Sequence, residues 1–390
     1  MNYRIDAYLT NNRVVDASQS FIISLSQYVA GMSFITSLEG GYLTATLDLS
    51  MRDVIAWDLL ANKLGARVVL VNPHATNTDM IIWEGLLYAV TIDDGKNTIN
   101  RSLANTYNQV RVVYSTITYN ASNNPIFGAQ LATADANDAA SQALYGIREL
   151  QYIIGGTDAT SAAGLRDTLL KRYSQPQTVS QTAQRGGGGS PQSTRVTLEC
   201  AGVWETLDKR FYKQTASTGN VNLDVIVKAA LTGVAQLANS DQSNIAANAQ
   251  QRSQYSQGNV TAQVLLSGLS ALGGPNNLRY YLGFYEQGKC YYAEQPTTVA
   301  YRARRLDPSE SIYDATTGAI VPPWLVLPGR IIRFDDLIPD AVTYSTTLND
   351  PRAFLIGQVQ FTAPGLVSLT PQVDDPAQLS LARMGLSMIG

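Results

Sequence analysis

The stretch Asp135–Pro176, DANDAASQALYGIRELQYIIGGTDATSAAGLRDTLLKRYSQP, organises the rest of this chain. Runs typical of β-structure lie on both sides of it, and we therefore interpret it as a helical joint between two β-rich halves. Its second part predicts a helix capped by Ser161, because apolar residues recur there at spacings of three and four: Ala162, Leu165, Leu169 and Tyr173. The helix should end before Pro176, which cannot continue the backbone hydrogen-bond ladder.

The first part of this stretch contains the run Ala140–Glu149, ASQALYGIRE. On physical grounds alone it predicts an amphipathic turn of a packed linker helix, with Gly146 at its tight point. The pattern Ser-x-x-x-Tyr-Gly-x-Arg-Glu, followed by an Ala- and Leu-rich helix that ends in Pro, also resembles the baseplate-hub (tail-hub) proteins of tailed bacteriophages. The residues that carry this resemblance are Ser141, Tyr145, Gly146, Arg148, Glu149 and the closing Pro176.

Further pieces similar to the hub family follow in the expected order, between about Gly41 and Pro371. One is a strand that ends in Cys-x-Gly and is followed by an aromatic residue and Leu: Cys200, Gly202, Trp204 and Leu207. Another is the step Pro328-Gly329-Arg330, which precedes Ile331, Arg333, Asp335-Asp336-Leu337 and Pro339. The segments that resemble the tube-type domains of phage tails are Gly41–Leu49, Ile82–Gly85 and Asn108–Tyr114.

Strand signals dominate both halves of the chain. Apolar and polar residues alternate from Tyr42 to Leu49, and Asp94-Gly95 and Gln287-Gly288 are hairpin signals. Ser50 is expected to cap a helix that Gly65 ends. We predict a β-rich α+β fold, in which a helical segment and smaller hub domains join two tube-type β-sandwich or barrel modules.

The same signals predict five segments. Residues 1–115 form a first tube-type β-domain, and residues 116–220 form the helical joint and a second hub domain with a mobile Gly-rich loop at 181–194. Residues 221–275 form a pair of helices, capped by Asn222 and Thr261, with a long polar loop at Ser240–Gly258 between them. Residues 276–373 form a second tube-type β-domain, and residues 374–390 form a C-terminal helix.

Composition excludes several classes of protein. Hydrophobic residues make up 45% of the 390 residues, which excludes disordered and collagen-like chains. Charged residues make up only 15%, which suits a surface that partners largely cover. The net charge of −3 argues against sequence-independent nucleic-acid binding, which needs a basic face. We find no signal-peptide pattern and no apolar window long enough for a membrane span, and we expect no stable membrane insertion.

The sequence is poor in catalytic groups. His74 is the sole histidine and lies in a polar turn, where we interpret it as a surface residue. Cys200 and Cys290 are expected to be buried thiols, with a disulfide as the alternative. Gly186–Gly189 lacks the Gly-Lys-Ser/Thr spacing of a phosphate-binding loop.

Carboxylates occur as adjacent pairs, which on a strand point to opposite faces. Asp135-Ala-Asn137-Asp138 begins like a calcium loop, but it lacks the Gly at the sixth position and the Glu at the twelfth. Tyrosine-rich strands, such as those with Tyr280-Tyr281, Tyr285 and Tyr291-Tyr292, can bind sugars, although hairpin alternation explains them more simply. We therefore assign no catalytic, cofactor-binding or metal-ligating residue, and we expect no enzymatic activity.

Two classes of function remain. The favoured class is a structural virion protein of the phage tail tip or baseplate, a hub that closes the distal tail tube and anchors a central spike or fibre. The resemblance implies a homotrimer, made in the host cytoplasm, that meets the tail tube or a distal tail protein and the tape-measure protein. DNA would pass through its lumen without specific binding, and Asp48, Asp93 and Asp94 are candidates for lumen-facing residues. The alternative class is a phage-borne or extracellular carbohydrate-binding or glycan-degrading protein.

Overall fold

The computed structural model describes residues 5–9, 23–72, 80–95, 97–182, 194–212, 219–234, 241–253, 260–275, 279–304, 311–336, 352–363 and 365–372. The fold is mixed α+β and rich in strands, as the sequence predicts. Strands of both predicted β-modules belong to one large curled sheet, which the sequence does not predict. His74 and the predicted C-terminal helix lie outside the described residues. Of the predicted Gly-rich loop at 181–194, the structure describes only residues 181, 182 and 194.

The strands of the described residues, in chain order, are β1 (Asp6–Leu9), β2 (Ile23–Ser24), β3 (Val29–Ser37), β4 (Gly40–Met51), β5 (Arg67–Asn72), β6 (Met80–Asp93), β7 (Asn97–Ser102), β8 (Gln109–Ser115), β9 (Ile117–Tyr119), β10 (Pro125–Phe127), β11 (Leu131–Ala132), β12 (Ala136–Asn137), β13 (Glu149–Gly155), β14 (Gln177–Thr182), β15 (Thr194–Ala201), β16 (Asn220–Asn222), β17 (Gln251–Ser253), β18 (Tyr280–Phe284), β19 (Cys290–Glu294), β20 (Val299–Ala303), β21 (Ile312–Asp314), β22 (Ile320–Val321), β23 (Ile331–Phe334), β24 (Ala353–Thr362) and β25 (Leu366–Pro371). The α-helices are α1 (Asp53–Asn62), α2 (Ala139–Tyr145), α3 (Ala159–Tyr173), α4 (Val203–Thr206), α5 (Leu223–Val234) and α6 (Ala262–Ala271).

The backbone of the large sheet is a run of eight antiparallel strands in the order β25-β24-β3-β4-β15-β6-β7-β14. Residues that face each other across these strands lie on the same side of the sheet. On one side, Phe361 faces Phe34, and Leu47 faces Leu198, which in turn faces Val90. These side chains belong to the main hydrophobic core, so this is the inner face.

Helix α1 covers part of the inner face. It contributes Ala56, Leu59 and Leu60 to the core. Its last turn is held by Arg101 of β7, whose guanidinium donates to the carbonyl oxygens of Leu60 (3.2 Å) and Ala61 (2.7 Å). A cation at a helix C-terminus satisfies carbonyl groups that have no partner within the helix.

A second, four-stranded sheet contains the predicted helical joint. Its strands β11 and β12 pair with one edge of β8, and β13 pairs with the other edge in parallel. Helix α3 packs on this sheet through Ala162, Leu165 and Leu169, against Val112 and Tyr114. The apolar face predicted for this helix is therefore confirmed.

Two features of the joint and the start of helix α1 differ from the prediction. The cap of α3 is Asp158, whose carboxylate accepts a hydrogen bond from the backbone N–H of Ser161, because an anion at a helix N-terminus also interacts with the helix dipole. The run Glu149–Gly155 is a strand, and its pairing with β8 lies beyond the reach of a local pattern. Helix α1 begins at Asp53, since Ser50 still pairs with Arg195 in the sheet.

The helices α5 and α6 form a smaller core with the hairpin β18–β19. The predicted cap of α6 is confirmed, because Thr261 accepts a hydrogen bond from the N–H of Val264. Helix α5 begins directly after Asn222, whose side-chain oxygen accepts a hydrogen bond from the side chain of Gln251. The described part of the predicted solvated loop at Ser240–Gly258 contains no helix or strand from residue 241 to 250, but it is not solvated throughout. Ile245 is buried, and Asn248 donates to the hydroxyl of Tyr292 at 2.7 Å, so tertiary hydrogen bonds hold a segment that is poor in apolar residues.

Strand pairs connect the predicted segments of the chain. Strand β24, from the predicted second tube-type domain, pairs with β3 from the first, and β15 lies between β4 and β6. In addition, β20 and β23 pair in parallel and form a third core with β24 and β25. Among the helices that the structure describes, none is long and apolar enough to cross a membrane.

A matched pair of leucines tests this arrangement of faces. Leu198 of β15 is fully buried in the main core, whereas Leu366 of β25 is 60% exposed. We expect Leu198→Ala to lower the free energy of unfolding by about 2–5 kcal/mol, because it removes buried apolar area and leaves a cavity. Leu366→Ala should change it by no more than about 0.5 kcal/mol. Urea titration followed by circular dichroism measures both values, and equal effects would contradict the assignment of the two faces.

Candidate functional site

The motif that resembles the hub family forms a buried polar junction around Asn108, the residue before β8. The Asn108 amide group donates to the hydroxyl of Ser141 (3.2 Å) and to the carbonyl of Gly146 (2.8 Å). Its side-chain oxygen accepts from the backbone N–H of Arg148 (2.8 Å), and its own N–H donates to the carbonyl of Arg148 (2.9 Å). Gly146 has a φ of 72°, a conformation that favours glycine, so the predicted tight point is confirmed.

Arg148 extends the junction into the first β-rich half. Its guanidinium donates to the carbonyl oxygens of Thr106 (2.9 Å) and Leu103 (2.8 Å) and lies 5.4 Å from the ring centre of Tyr88. Burial lowers the pKa of Arg148. Because this cation is enclosed and bound to backbone, it acts as a structural clamp and is not free to bind an anion.

Ser141 and Glu149 bind two further segments to the junction. The hydroxyl of Ser141 donates to the carbonyl of Ser174 at the end of α3. The carboxylate of Glu149 accepts from the backbone N–H of Phe211 (2.6 Å) and pairs with Arg210 (3.5 Å). The matching residues thus join four separate stretches of backbone, and their role is to hold the fold.

The other two family-like pieces also lie where backbones meet. A Cβ atom on Gly202 would stand 1.8 Å from the carbonyl oxygen of Tyr42, so only glycine permits this close approach of β15 and β4. Gly329, with a φ of 74°, donates through its N–H to the carbonyl of Ile356 at 2.8 Å. Sequence alone could not show these contacts, because their partners lie far away along the chain.

A buried ion pair connects the first half to the hairpin β18–β19. The guanidinium of Arg67 lies 2.6 Å from the carboxylate of Glu84, within the Ile82–Gly85 segment. Burial raises the pKa of Glu84, while Arg67 and the backbone N–H groups of Gln287 and Gly288 oppose this shift. This carboxylate therefore fixes the hairpin turn by hydrogen bonds that a charged acceptor makes strong.

The outer side of the eight-stranded run is a broad surface of short polar side chains, which we name the polar face. It includes Ser33, Thr46, Asp48, Thr91, Asp93, Asn100, Gln181, Arg195, Thr197, Glu199, Gln360 and Ser368. Side-chain hydrogen bonds run along it: Asn100 donates to Thr91, and Thr197 donates to Asp48, each at 2.8 Å. Two of the predicted lumen candidates, Asp48 and Asp93, lie on this one face.

The polar face is weakly acidic. Among the described residues of this side that solvent reaches, the charged ones are Asp48, Asp93, Glu199 and Arg195. Glu84 of β6 lies on the same side but is buried against Arg67. Asp94, the third candidate, lies in the adjoining turn, where its carboxylate accepts from the N–H of Asn97 at 2.6 Å. Such a surface offers phosphate groups hydroxyl and amide contacts but little positive charge.

A cleft of about 530 Å³ opens at one end of this face, and Thr44, Thr46, Glu199, Glu205 and Asp208 are among the residues that line it. The pKa of Glu205 is raised, first by burial and then by the nearby charge of Asp208. The cleft therefore brings three carboxyl groups together with the ammonium group of Lys209, which also lines it.

The other sequence candidates have structural roles where the structure describes them. Cys200 and Cys290 are buried free thiols, as predicted. Asp135 binds Arg111 at 2.7 Å, and Asp138 caps α2 through the N–H of Ser141. Tyr280 and Tyr292 are core residues whose rings lie 5.0 Å apart, so they form no exposed sugar platform. Within the described ranges no group of His, Cys, Asp and Glu is arranged to hold a metal ion.

The Asn108 junction can be tested with two arginines. We expect Arg148→Met to lower the free energy of unfolding by about 2–4 kcal/mol, because two buried carbonyl groups lose charged donors. Arg166→Met is the control, since that arginine pairs with the exposed carboxylate of Asp167 and should contribute less than about 1 kcal/mol. Thermal and urea unfolding measure both effects. A loss for Arg148→Met as small as the control's would contradict the clamp.

The chain was compared with protein-family models, curated proteins and solved structures. No protein-family model and no curated protein match this chain. Among solved structures, a 43 kDa tail protein of prophage MuSo2 from Shewanella oneidensis is similar over 96% of this chain and 98% of its own, at 9% identity and a TM-score of 0.39. A tail protein from Neisseria meningitidis MC58 is similar over 93% of this chain and 92% of its own, at 6% identity and a TM-score of 0.38. Likenesses this weak carry no functional conclusion.

Proposed function

We propose that this chain is a structural protein of a bacteriophage tail, namely the hub that closes the distal tail tube and anchors a central spike or fibre. The observation that carries the proposal is the polar face, an eight-stranded antiparallel surface with three carboxylates and one arginine among its described residues that solvent reaches. DNA that slides through a tube must not be retained, and a surface without a basic patch meets that requirement.

The buried motif residues support a structural role. Ser141, Arg148 and Glu149 hold backbone segments together, and Gly202 and Gly329 allow close backbone contacts. Residues that resemble the hub family are thus used for architecture and not for chemistry.

The proposed assembly is a homotrimer in the virion, at the tail tip or baseplate, made in the host cytoplasm. Its proposed partners are the tail tube or a distal tail protein, the tape-measure protein and the central spike or fibre, with DNA passing through the lumen without specific binding. The low charged fraction of the chain, 15%, supports extensive contacts, because interface cores are depleted of charge.

The cleft beside the polar face favours a second candidate, a phage-borne or extracellular protein that binds or degrades glycans. A carboxyl group with a raised pKa, such as that of Glu205, is what a general acid requires, and Glu199 and Asp208 line the same cleft. Glycan-array binding that Glu205→Gln abolishes, by a monodisperse monomer, would support this candidate.

The hub proposal predicts rings. We expect the purified protein to form trimers at micromolar concentration, measured by mass photometry, and rings with a central hole in negative-stain images. A protein that stays monomeric alone and also fails to form rings on isolated tail tubes would contradict the proposal.

The polar face predicts how charge affects DNA binding. The unaltered protein should not retain duplex DNA at physiological salt. We expect the double variant Asp48→Lys/Glu199→Lys to bind DNA. The logarithm of its binding constant should fall linearly with the logarithm of the salt concentration, and the slope should steepen by about 0.9 for each phosphate that the lysines neutralise.

The matched control is Asp58→Lys/Asp167→Lys, which makes the same change in net charge on the helices α1 and α3. It should bind DNA at least about tenfold more weakly than the first variant, since its lysines do not share one face. Filter binding at several salt concentrations measures both. Strong DNA binding by the unaltered protein would contradict the lumen assignment.

A further inference from the structure

A projecting hairpin stands out from the second sheet. Strands β9 and β10 pair only with each other among the described strands, and every residue from 118 to 132 is exposed. Three large apolar side chains of the hairpin are at least half exposed, Tyr119, Ile126 and Phe127, and so is Leu131 of the adjoining β11. An isolated two-stranded hairpin is marginally stable in water, so this one has an energetic reason to dock.

The hairpin and the strand beside it carry no charge. The sequence from Val112 to Ala134 contains no Asp, Glu, Lys or Arg, and neither does the run Leu150–Thr157 that includes most of β13. Ile153 of β13 is 60% exposed. Natural sheet edges are usually protected by charged residues or proline, and contiguous exposed apolar surface without charge is typical of interface cores.

Strand β13 offers an open edge to an additional strand. At one end of β13, the N–H of Asn108 donates to the carbonyl of Arg148, and at the other end the N–H of Gly156 donates to the carbonyl of Ser115. The even-numbered residues in and beside β13 therefore direct their backbone groups to β8. Because backbone groups alternate along a strand, those of Ile153 and Gly155 point to the other edge. Strand β8 is the one strand paired with β13 in the part of the chain that the structure describes.

The hairpin of the same chain does not fit this edge. Strand β9 continues from β8 past the end of β13, and Gly155 lies opposite Ser115 at that end. A Cβ atom on Gly155 would be 3.5 Å from the ring of Phe127, so the base of the hairpin packs at the end of β13 and not along its outer edge. The described hairpin therefore does not cover the outer edge of β13 in its own chain.

We propose that the β9–β10 hairpin of one copy adds to the open edge of β13, at Ile153, in a second copy of this chain. This inference rests on the proposed homotrimer. A three-membered ring requires two different surfaces on each copy, and the uncharged hairpin and the uncharged edge are such a pair. Because neither surface carries charge, no charged group is buried without a partner when they meet.

The first test is a cysteine cross-link. The double variant Ile126→Cys/Ile153→Cys should form disulfide-linked trimers on mild oxidation, whereas either single variant should form none. The native thiols give no background, because both are buried and burial raises the pKa of Cys290 to about 12. The control is Ile153→Cys/Val264→Cys, since Val264 of α6 is also 60% exposed.

A charge at the edge is the second test. Ile153→Lys should weaken trimer formation by about tenfold or more in light-scattering measurements, because the lysine would be buried in the contact. Its melting temperature at low protein concentration should match that of Val264→Lys, which should assemble normally.

Three outcomes overturn the inference, and they separate it from the proposed function. Trimers that form no link in the double variant and tolerate Ile153→Lys would leave the hub proposal intact and reject this surface. Links in Ile153→Cys alone would indicate a two-fold contact, which contradicts the ring geometry. Monomers that form no links at any concentration, and that form neither rings nor links on isolated tail tubes, would reject the trimer and the surface together.

Discussion

The amide group of Asn108 supplies hydrogen bonds that three backbone segments would otherwise lack. It contacts α2 at Ser141, the turn at Gly146 and the start of β13 at Arg148. Buried donors and acceptors must be paired, because an unpaired one costs about 1–3 kcal/mol. With these bonds made, β13 can lie parallel to β8, and Arg148 can reach the carbonyls of Leu103 and Thr106. The second sheet and its attachment to the large sheet depend on this one side chain.

How far the sequence predicts this structure depends on whether the signal is local. The alternation of β4, the hairpin at Gln287-Gly288 and the cap at Thr261 follow from neighbouring residues, and all three are confirmed. The strand β13 could not be predicted, because what decides its conformation is β8, about forty residues earlier. The segment with Ile245 and Asn248 was predicted to be solvated for the same reason: its stability comes from Tyr292 and the carbonyl of Gly273.

The candidate surfaces also combine local sequence signals with features that only distant residues decide. Asp48 and Asp93 were predicted as lumen candidates from their charge, but only strand order brings them to one face. The projecting hairpin had a visible signal, the charge-free run from Val112 to Ala134, and that signal gives no indication of exposure. The sequence shows that the motif from Ser141 to Glu149 resembles the hub family. Its contacts with Asn108 could not be predicted, because no regular spacing along the chain relates the two.

The pairing of β3 with β24 has a consequence for synthesis on the ribosome. The hydroxyl of Ser37 donates to the carbonyl of Gly357, across 320 residues of chain. At the usual rates of translation, about 5–20 residues per second, the edge of β3 waits some tens of seconds for its neighbour to emerge. During that time the nascent chain presents an unprotected strand to other nascent chains on the same messenger RNA. The large sheet can be completed only after β24 has emerged, so chaperones that cover strand edges should matter for the yield of folded protein.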